Sequence, residues 1–173
     1  MTQGQSRFVP YEMKRSLIRV YSYRNKEIRG TLQNPYFEEE PYFDNLTQLL
    51  IRMEGLLDAL DFPQRSMEGR AFDRPEQRAA AGAPRPAPEA LGEQKPLATF
   101  QLSVLFRQNA SWQGRLTWLE RAEEARFRSV LELVGLLDSA LAAIYGGPEE
   151  SFGPAGQGGG RGPSAPHIAK WLG

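Results

Sequence analysis

The residues best suited to binding chemistry form a short alternating row of arginine and tyrosine. Arg19, Tyr21 and Tyr23 are spaced two positions apart, so a β-strand places them on one face, and Arg24 follows directly. Arginine holds phosphates and tyrosine rings stack on bases, which suits such a sheet face to single-stranded nucleic acid. Because 21 basic residues are balanced by 21 acidic ones, no overall positive field favours this partner.

Residues for catalysis or metal binding are scarce in the sequence. There is no cysteine, and the single histidine, His167, lies beyond a glycine- and proline-rich stretch. The chain therefore offers no thiol nucleophile, no serine–histidine pair on a folded core and no histidine-ligated metal. The acidic run from Glu38 to Glu40 does not converge, since consecutive strand residues point to opposite faces. We expect no catalytic residue, no metal site and no cofactor.

The elements that position these residues are indicated by a repeat at a spacing of 84 residues. Identical residues recur at this spacing without a gap; they include Val20 and Val104, Asn25 and Asn109, Gly30 and Gly114, Phe43 and Phe127, and Leu49 and Leu133. The glycine that recurs in mid-strand predicts a group packed close to the sheet there. The repeat predicts an α+β fold of internally duplicated β-β-β-α units, an antiparallel sheet with one helix per repeat packed on one face.

The predicted helices share a start signal and an apolar stripe. Apolar residues recur at helical spacing from Leu46 to Leu60 and from Val130 to Ile144. Each stripe is preceded by a capping box at the same offset; the two boxes are Asn45 with Gln48 and Ser129 with Glu132. Matching caps at matching places strengthen the prediction of two similar units.

The composition divides the chain into five segments. We expect an N-terminal tail (1–15), a first β-β-β-α repeat (16–62), a Pro/Ala/Arg-rich linker (63–96), a second repeat (97–147) and a disordered Gly/Pro-rich tail (148–173). A repeat of about 45 residues is near the size at which a lone core stops being sufficient. The two repeats are expected to pack on each other, in one continuous sheet or in two layers, with a homodimer as the alternative.

Aromatic residues without a counterpart in the other repeat are the best candidates for a partner surface. Tyr36, Phe37 and Tyr42 have no aromatic counterpart in the second repeat, and Trp118 stands where the first repeat has Asn34. Since the helix stripes already supply the core, these rings are available as rigid anchors for a partner. Trp118 is expected to be partly exposed.

These observations favour a non-enzymatic protein-interaction or adaptor module of unknown pathway, with an unidentified protein as its partner. The alternative is a single-stranded nucleic-acid-binding protein that uses the arginine–tyrosine row, and an enzyme of unidentified type ranks third. The polar N-terminus does not resemble a signal peptide, and no apolar stretch is long enough to span a bilayer. We therefore expect a cytoplasmic protein without a membrane partner.

Overall fold

The computed structural model describes residues 8–67, 70, 72, 85–91, 93–109 and 111–145. These residues form an α+β fold with one seven-stranded antiparallel sheet. Its strands are β1 (Ser16–Arg24), β2 (Glu27–Gln33), β3 (Pro41–Phe43), β4 (Arg85–Pro86), β5 (Ala98–Phe106), β6 (Gln113–Trp118) and β7 (Glu123–Phe127), and its α-helices are α1 (Leu46–Leu60) and α2 (Val130–Tyr145). The strand order is β4-β3-β2-β1-β5-β6-β7.

The sheet consists of two meanders that join through β1 and β5. These strands pair antiparallel from Ser16 opposite Leu102 to Val20 opposite Ala98. The sequence left open whether the two predicted repeats share a sheet or form two layers. The structure has one continuous sheet.

Each meander contains a β-bulge near the end of its first strand. The register shifts between Val20 and Ser22 in the β1–β2 pair, and between Val104 and Phe106 in the β5–β6 pair. The turns that follow contain Asn25 at φ 51° and Asn109 at φ 54°. Asparagine tolerates this left-handed conformation better than most residues with a side chain, which explains its presence in both turns.

Gly30 and Gly114 lie where the neighbouring strand and a phenylalanine ring leave no room for a side chain. A Cβ atom on Gly30 would be 2.0 Å from the carbonyl oxygen of Arg19 and 2.8 Å from Cζ of Phe43. A Cβ atom on Gly114 would be 2.0 Å from the carbonyl oxygen of Ser103 on the neighbouring strand and 2.9 Å from Cζ of Phe127. The prediction that a group packs close to the sheet at this glycine is confirmed at both places.

Both helices start at the predicted capping boxes and pack on the same face of the sheet. The Asn45 side chain accepts a 2.9 Å hydrogen bond from the backbone of Gln48, and the Ser129 hydroxyl accepts a 3.1 Å bond from Glu132. One continuous core, which includes Leu49 of α1 and Leu133 of α2, lies between the helices and the sheet; among its sheet residues are Ile18, Val20, Phe43, Phe100, Leu102 and Phe127. Among the described residues, no helix is long and apolar enough to cross a membrane.

The opposite face of the sheet, which we call the open face, has no described α-helix packed on it. It is mainly polar; its residues include Leu17, Arg19, Tyr21, Thr31, Gln33, Tyr42, Thr99, Gln101, Ser103, Arg115, Thr117 and Arg126. A sheet covered on one face alone is common among antiparallel sheets. The open face is therefore one surface on which a partner can be sought.

Segments predicted as tail and linker also contribute to the structure. In the predicted N-terminal tail, Val9 is buried and Tyr11–Lys14 form a 3-10 helix. In the predicted linker, Arg85–Pro86 form β4, which pairs with the outer edge of β3. The tail predicted for residues 148–173 lies outside the described residues.

Candidate functional site

The arginine–tyrosine row is divided between the two faces of the sheet. Arg19 and Tyr21 are half-buried on the open face, and Arg24 is exposed at the end of β1. Tyr23, by contrast, is only 8% exposed and belongs to the core on the helix-covered face. The prediction of a single face is wrong at Tyr23 because the bulge adds one residue and reverses the alternation of side chains after Val20.

Arg19 is held by side chains of its own surroundings. Its Nη1 lies 2.6 Å and 2.7 Å from the two carboxylate oxygens of Glu40, and its Nη2 donates a 2.8 Å hydrogen bond to Gln33. The Glu40 carboxylate also accepts a 3.1 Å bond from the Thr31 hydroxyl. Because the Glu40 carboxylate and Gln33 already accept from both terminal nitrogens of Arg19, they compete with any phosphate for this guanidinium.

Tyr23 takes part in a polar cluster with α2. Its hydroxyl donates a hydrogen bond to Asp138, and the ammonium group of Lys26 lies 2.9 Å from the same carboxylate. Burial, followed by the bond to Asp138, raises the pKa of Tyr23, whereas hydrogen bonds from Tyr23 and then Lys26 lower the pKa of Asp138. The pKa shifts follow from burial and from these bonds, and the same bonds hold the β1–β2 turn against α2.

Arg107, which lies 84 positions after Tyr23, takes part in a similar cluster with α1. Only 4% of Arg107 is exposed, and its Nη1 lies 2.5 Å from Asp58. Its other donors reach the backbone oxygens of Pro63 at 2.7 Å and Leu57 at 3.3 Å. A buried guanidinium with this many acceptors is satisfied, so its role is to hold the end of β5 against α1.

Trp118 is a core residue. It is 8% exposed, its ring centroid lies 6.0 Å from that of Phe100, and the guanidinium of Arg121 covers it at 4.3 Å. The expectation of partial exposure is therefore wrong, because the ring turns toward the helix-covered face as an alternating strand position next to Phe100. Trp118 cannot anchor a partner without leaving the core.

The remaining aromatic candidates differ in how much surface they offer. Tyr36 is 46% exposed, and its ring meets Phe37 edge to face at 5.6 Å. Phe37 is half-buried and packs against the core. Tyr42 is half-buried on the open face, and burial is the main reason that its pKa is raised. Tyr36 is thus the most accessible of the four predicted partner-binding residues.

Tyr36 borders an apolar cleft that the sequence-based reasoning missed. We call it the aromatic cleft; its volume is about 240 Å³, and its lining residues are Phe8, Val9, Pro10, Met13, Tyr36, Ala59 and Leu60. Phe8 is 88% exposed at its border. The run Phe8-Val9-Pro10-Tyr11 was the available signal, since such an apolar run is unusual in a solvated tail.

Asn34 builds the cleft by tying the N-terminal segment to the sheet. Its side-chain Nδ2, which carries two donor hydrogens, lies 3.0 Å from the backbone oxygen of Met13, 2.9 Å from that of Arg15 and 3.1 Å from the Ser16 hydroxyl. Its side-chain oxygen accepts a 2.9 Å bond from the backbone of Tyr36. One buried residue therefore connects the N-terminal side of the cleft to the backbone of Tyr36.

The described residues do not include a cluster of three or more histidine, cysteine or acidic side chains arranged to hold a metal ion. The aromatic cleft is lined mainly by apolar side chains, so its arrangement suits the burial of apolar groups. No protein-family model, curated protein or solved structure matches this chain.

Proposed function

We propose that the chain is a non-enzymatic protein-interaction module whose partner inserts apolar side chains into the aromatic cleft. The observation that carries this proposal is an apolar cleft of about 240 Å³ with two exposed rings at its border, Phe8 at 88% and Tyr36 at 46%. Exposed apolar residues that cluster around a cleft mark interaction sites more often than the same residues scattered singly.

The rigidity of the cleft supports this role. The Tyr36 ring rests on Phe37, which packs on the core, and the Asn34 side chain bonds to the backbone of Arg15 and Tyr36. A preformed site loses little conformational entropy when it binds, so more of the contact energy contributes to affinity. The space is sufficient for a large aliphatic or aromatic side chain, and a protein segment that presents one is the partner we propose.

We further propose that the framework is two copies of one β-β-β-α unit related by a pseudo-two-fold axis. The matching bulges, turn asparagines, glycines and caps support it. Under this proposal the cleft belongs to the first copy alone, because Glu120 and Arg121 stand 84 positions after Tyr36 and Phe37. The second copy then serves mainly to complete the core.

Affinity capture from the native cell with single variants tests the interaction proposal. Tyr36→Ala should lower the recovery of the partner about tenfold or more, as expected for an aromatic anchor. The matched control is Leu131→Ala, which truncates a side chain that is 80% exposed on α2, away from the cleft. Recovery should persist at about 0.5 M salt, where surface charge pairs are screened. Equal recovery by both variants would contradict the proposal.

Single-stranded nucleic acid on the open face is the second candidate function. Besides Arg19 and Tyr21, this face carries Arg115 directly opposite Arg126, both exposed. Binding of a labelled oligothymidylate, followed by fluorescence anisotropy, tests it. Affinity should fall steeply with salt and should weaken in Arg126→Ala, since phosphate contacts release counterions. If anisotropy does not change at low salt, this function is excluded for that probe.

A further inference from the structure

A groove between β7 and α2, which we call the α2 groove, is separate from the aromatic cleft. Its volume is about 250 Å³, and it shares no lining residue with the cleft. The α2 residues that border it are mostly small and recur on one side of the helix; they include Ser139, Ala140 and Ala143. On β7, Ala125 is equally small, and the buried ring of Phe100 also lines the groove. Short side chains on both elements therefore leave an apolar space.

A buried donor without an acceptor borders this space. Trp118, which also lines the groove, is 8% exposed, and no described residue accepts a hydrogen bond from its indole Nε1. Trp112 is the contrast, since its Nε1 donates to Glu54 at 2.6 Å. Buried indole N–H groups usually have a partner, so the Trp118 donor indicates a place where a ligand can supply the acceptor.

A cationic side chain covers the same ring. The guanidinium of Arg121 lies 4.3 Å from the Trp118 ring centroid, and Arg121 is exposed and borders the groove. Within the described part of the chain, no carboxylate forms an ion pair with it. Exposed side chains change rotamer within nanoseconds, so Arg121 can turn from the ring toward an anion.

We propose that the α2 groove binds a small apolar carboxylate. The apolar group occupies the space beside the short α2 residues, one carboxylate oxygen accepts from Nε1 of Trp118, and the other pairs with Arg121. Because Nε1 is buried in this structure, the turn of Arg121 away from the ring is also the step that admits the ligand. Carboxylate oxygens accept several hydrogen bonds at once, and charge-assisted bonds are stronger than neutral ones.

The size of the groove limits the apolar group. Sites for drug-sized ligands have volumes of about 300–1,000 Å³, and the α2 groove is slightly smaller. A single aromatic ring or a short aliphatic chain with a terminal carboxylate is the class of ligand that fits this volume.

The acidic residues of β7 distinguish an anionic from a cationic ligand. Glu124 lies on the open face, since it is opposite Thr117, and its carboxylate is 3.6 Å from Arg115. Glu123 is opposite Trp118 on the helix-covered side, where it is exposed. An organic ammonium could pair with Glu123, but it only donates and would leave the indole N–H without an acceptor. The unpaired donor therefore favours the anion.

Titration with three probes that share one apolar group tests the proposal. The full chain is titrated with phenylpropionate, phenylpropanol or phenylpropylamine, and the indole N–H signals are followed by heteronuclear NMR. Single Trp→Phe variants assign the signals of the three tryptophans, by elimination where Trp118→Phe does not fold. Phenylpropionate should shift the Trp118 signal downfield and saturably, with a Kd on the order of a millimolar or tighter, and should leave the Trp112 signal in place.

Variants at the border of the groove separate the two charges. Arg121→Gln should weaken phenylpropionate binding about tenfold, and Glu123→Gln should preserve or tighten it, since a like charge is removed. Tyr36→Ala, at the aromatic cleft, is the matched control and should bind the probe as the unaltered chain does. The result is therefore independent of the proposed protein partner.

Three outcomes would overturn the proposal. One is a Trp118 signal that phenylpropionate does not shift. Another is binding of phenylpropanol as tight as that of phenylpropionate, or equal binding by Arg121→Gln and the unaltered chain. The third is tighter binding of phenylpropylamine together with its loss in Glu123→Gln, which would assign the groove to cations.

Discussion

Leu17 and Gln101, which are 84 positions apart in the chain, lie directly opposite each other where β1 pairs with β5. Their neighbours follow the same rule, since Ser16 faces Leu102 and Ile18 faces Phe100. Phe100 lies 84 positions after Ser16, and Leu102 lies 84 positions after Ile18. The pair Ser16–Leu102 is therefore converted into the pair Ile18–Phe100 when the two repeats are exchanged. This register is the one expected if a two-fold axis passes between Leu17 and Gln101, and it supports the proposal of two related units.

The residues that follow the two bulges connect each meander to the other helix. Tyr23 of β1 bonds to Asp138 of α2, and Arg107, at the end of β5, bonds to Asp58 of α1. The core is also continuous across both helices. We therefore expect the two halves to unfold as one cooperative unit.

Glycine substitutions test the close approach in mid-strand. Gly30→Ala and Gly114→Ala should each cost about 2–3 kcal/mol in the free energy of unfolding, because backbone must move to admit the methyl group. Gly55→Ala and Gly135→Ala are matched controls, because outside the local helix backbone no atom lies within 4 Å of the added carbon. Both lie in helices, so they should stabilise the protein by about 0.5–1 kcal/mol. Urea denaturation measures all four, and similar losses in both pairs would contradict the account.

Loss of the buried guanidinium should destabilise the fold. Arg107→Met keeps the aliphatic part of the side chain but leaves the backbone oxygen of Pro63 without its donor and Asp58 without its buried partner, at a cost of about 2 kcal/mol. Arg115→Met, at an exposed site, should stay within about 0.5 kcal/mol. A chemical melt in which the two variants behave alike would show that Arg107 is not a structural residue.

The hydroxyl of Tyr23 should contribute to stability, unlike that of Tyr21. Tyr23→Phe removes the bond to Asp138 and should cost about 1 kcal/mol, whereas the same change at the half-buried Tyr21 should cost little. Thermal unfolding of both variants gives the comparison. A neutral result at Tyr23 would mean that the cluster with α2 does not form in solution.

The same cluster predicts a pH dependence. Because hydrogen bonds lower the pKa of Asp138 in the folded state, its contribution is present above the unfolded value of about 3.9 and is lost as the pH falls through the folded pKa. Asp138→Asn should therefore lower Tm at neutral pH, and this deficit should shrink as the pH falls below about 4. A deficit that is constant from neutral to acidic pH would argue against this ion pair.

Local signals explain which parts of the fold could be predicted from the sequence. The caps at Asn45 and Ser129 depend on residues three positions away, and the spacing of 84 makes these caps and the mid-strand glycines visible twice. The bulge after Val20 could not be predicted, because its extra residue leaves an alternating pattern that still reads as one strand. The side assigned to Tyr23 was wrong for this reason.

The candidate site was harder to predict than the fold because it depends on contacts between distant segments. The cleft exists because Asn34 bonds to the backbone of Met13 and Arg15, about twenty positions earlier in the chain. Tyr36 could be singled out as an unmatched aromatic, but Phe8 lies in a segment that composition assigns to a tail. Trp118 was misplaced because the burial of a strand residue depends on the helix above it.

Photo-crosslinking from the aromatic cleft tests the central claim most directly. Tyr36 is replaced by p-benzoylphenylalanine in the native cell, and the same replacement at the exposed Leu131 of α2 is the control. The account predicts a covalent adduct with a discrete protein from position 36 that is absent from position 131. The absence of any protein adduct at position 36, or the same adducts from both positions, would contradict the claim that the cleft binds a protein partner.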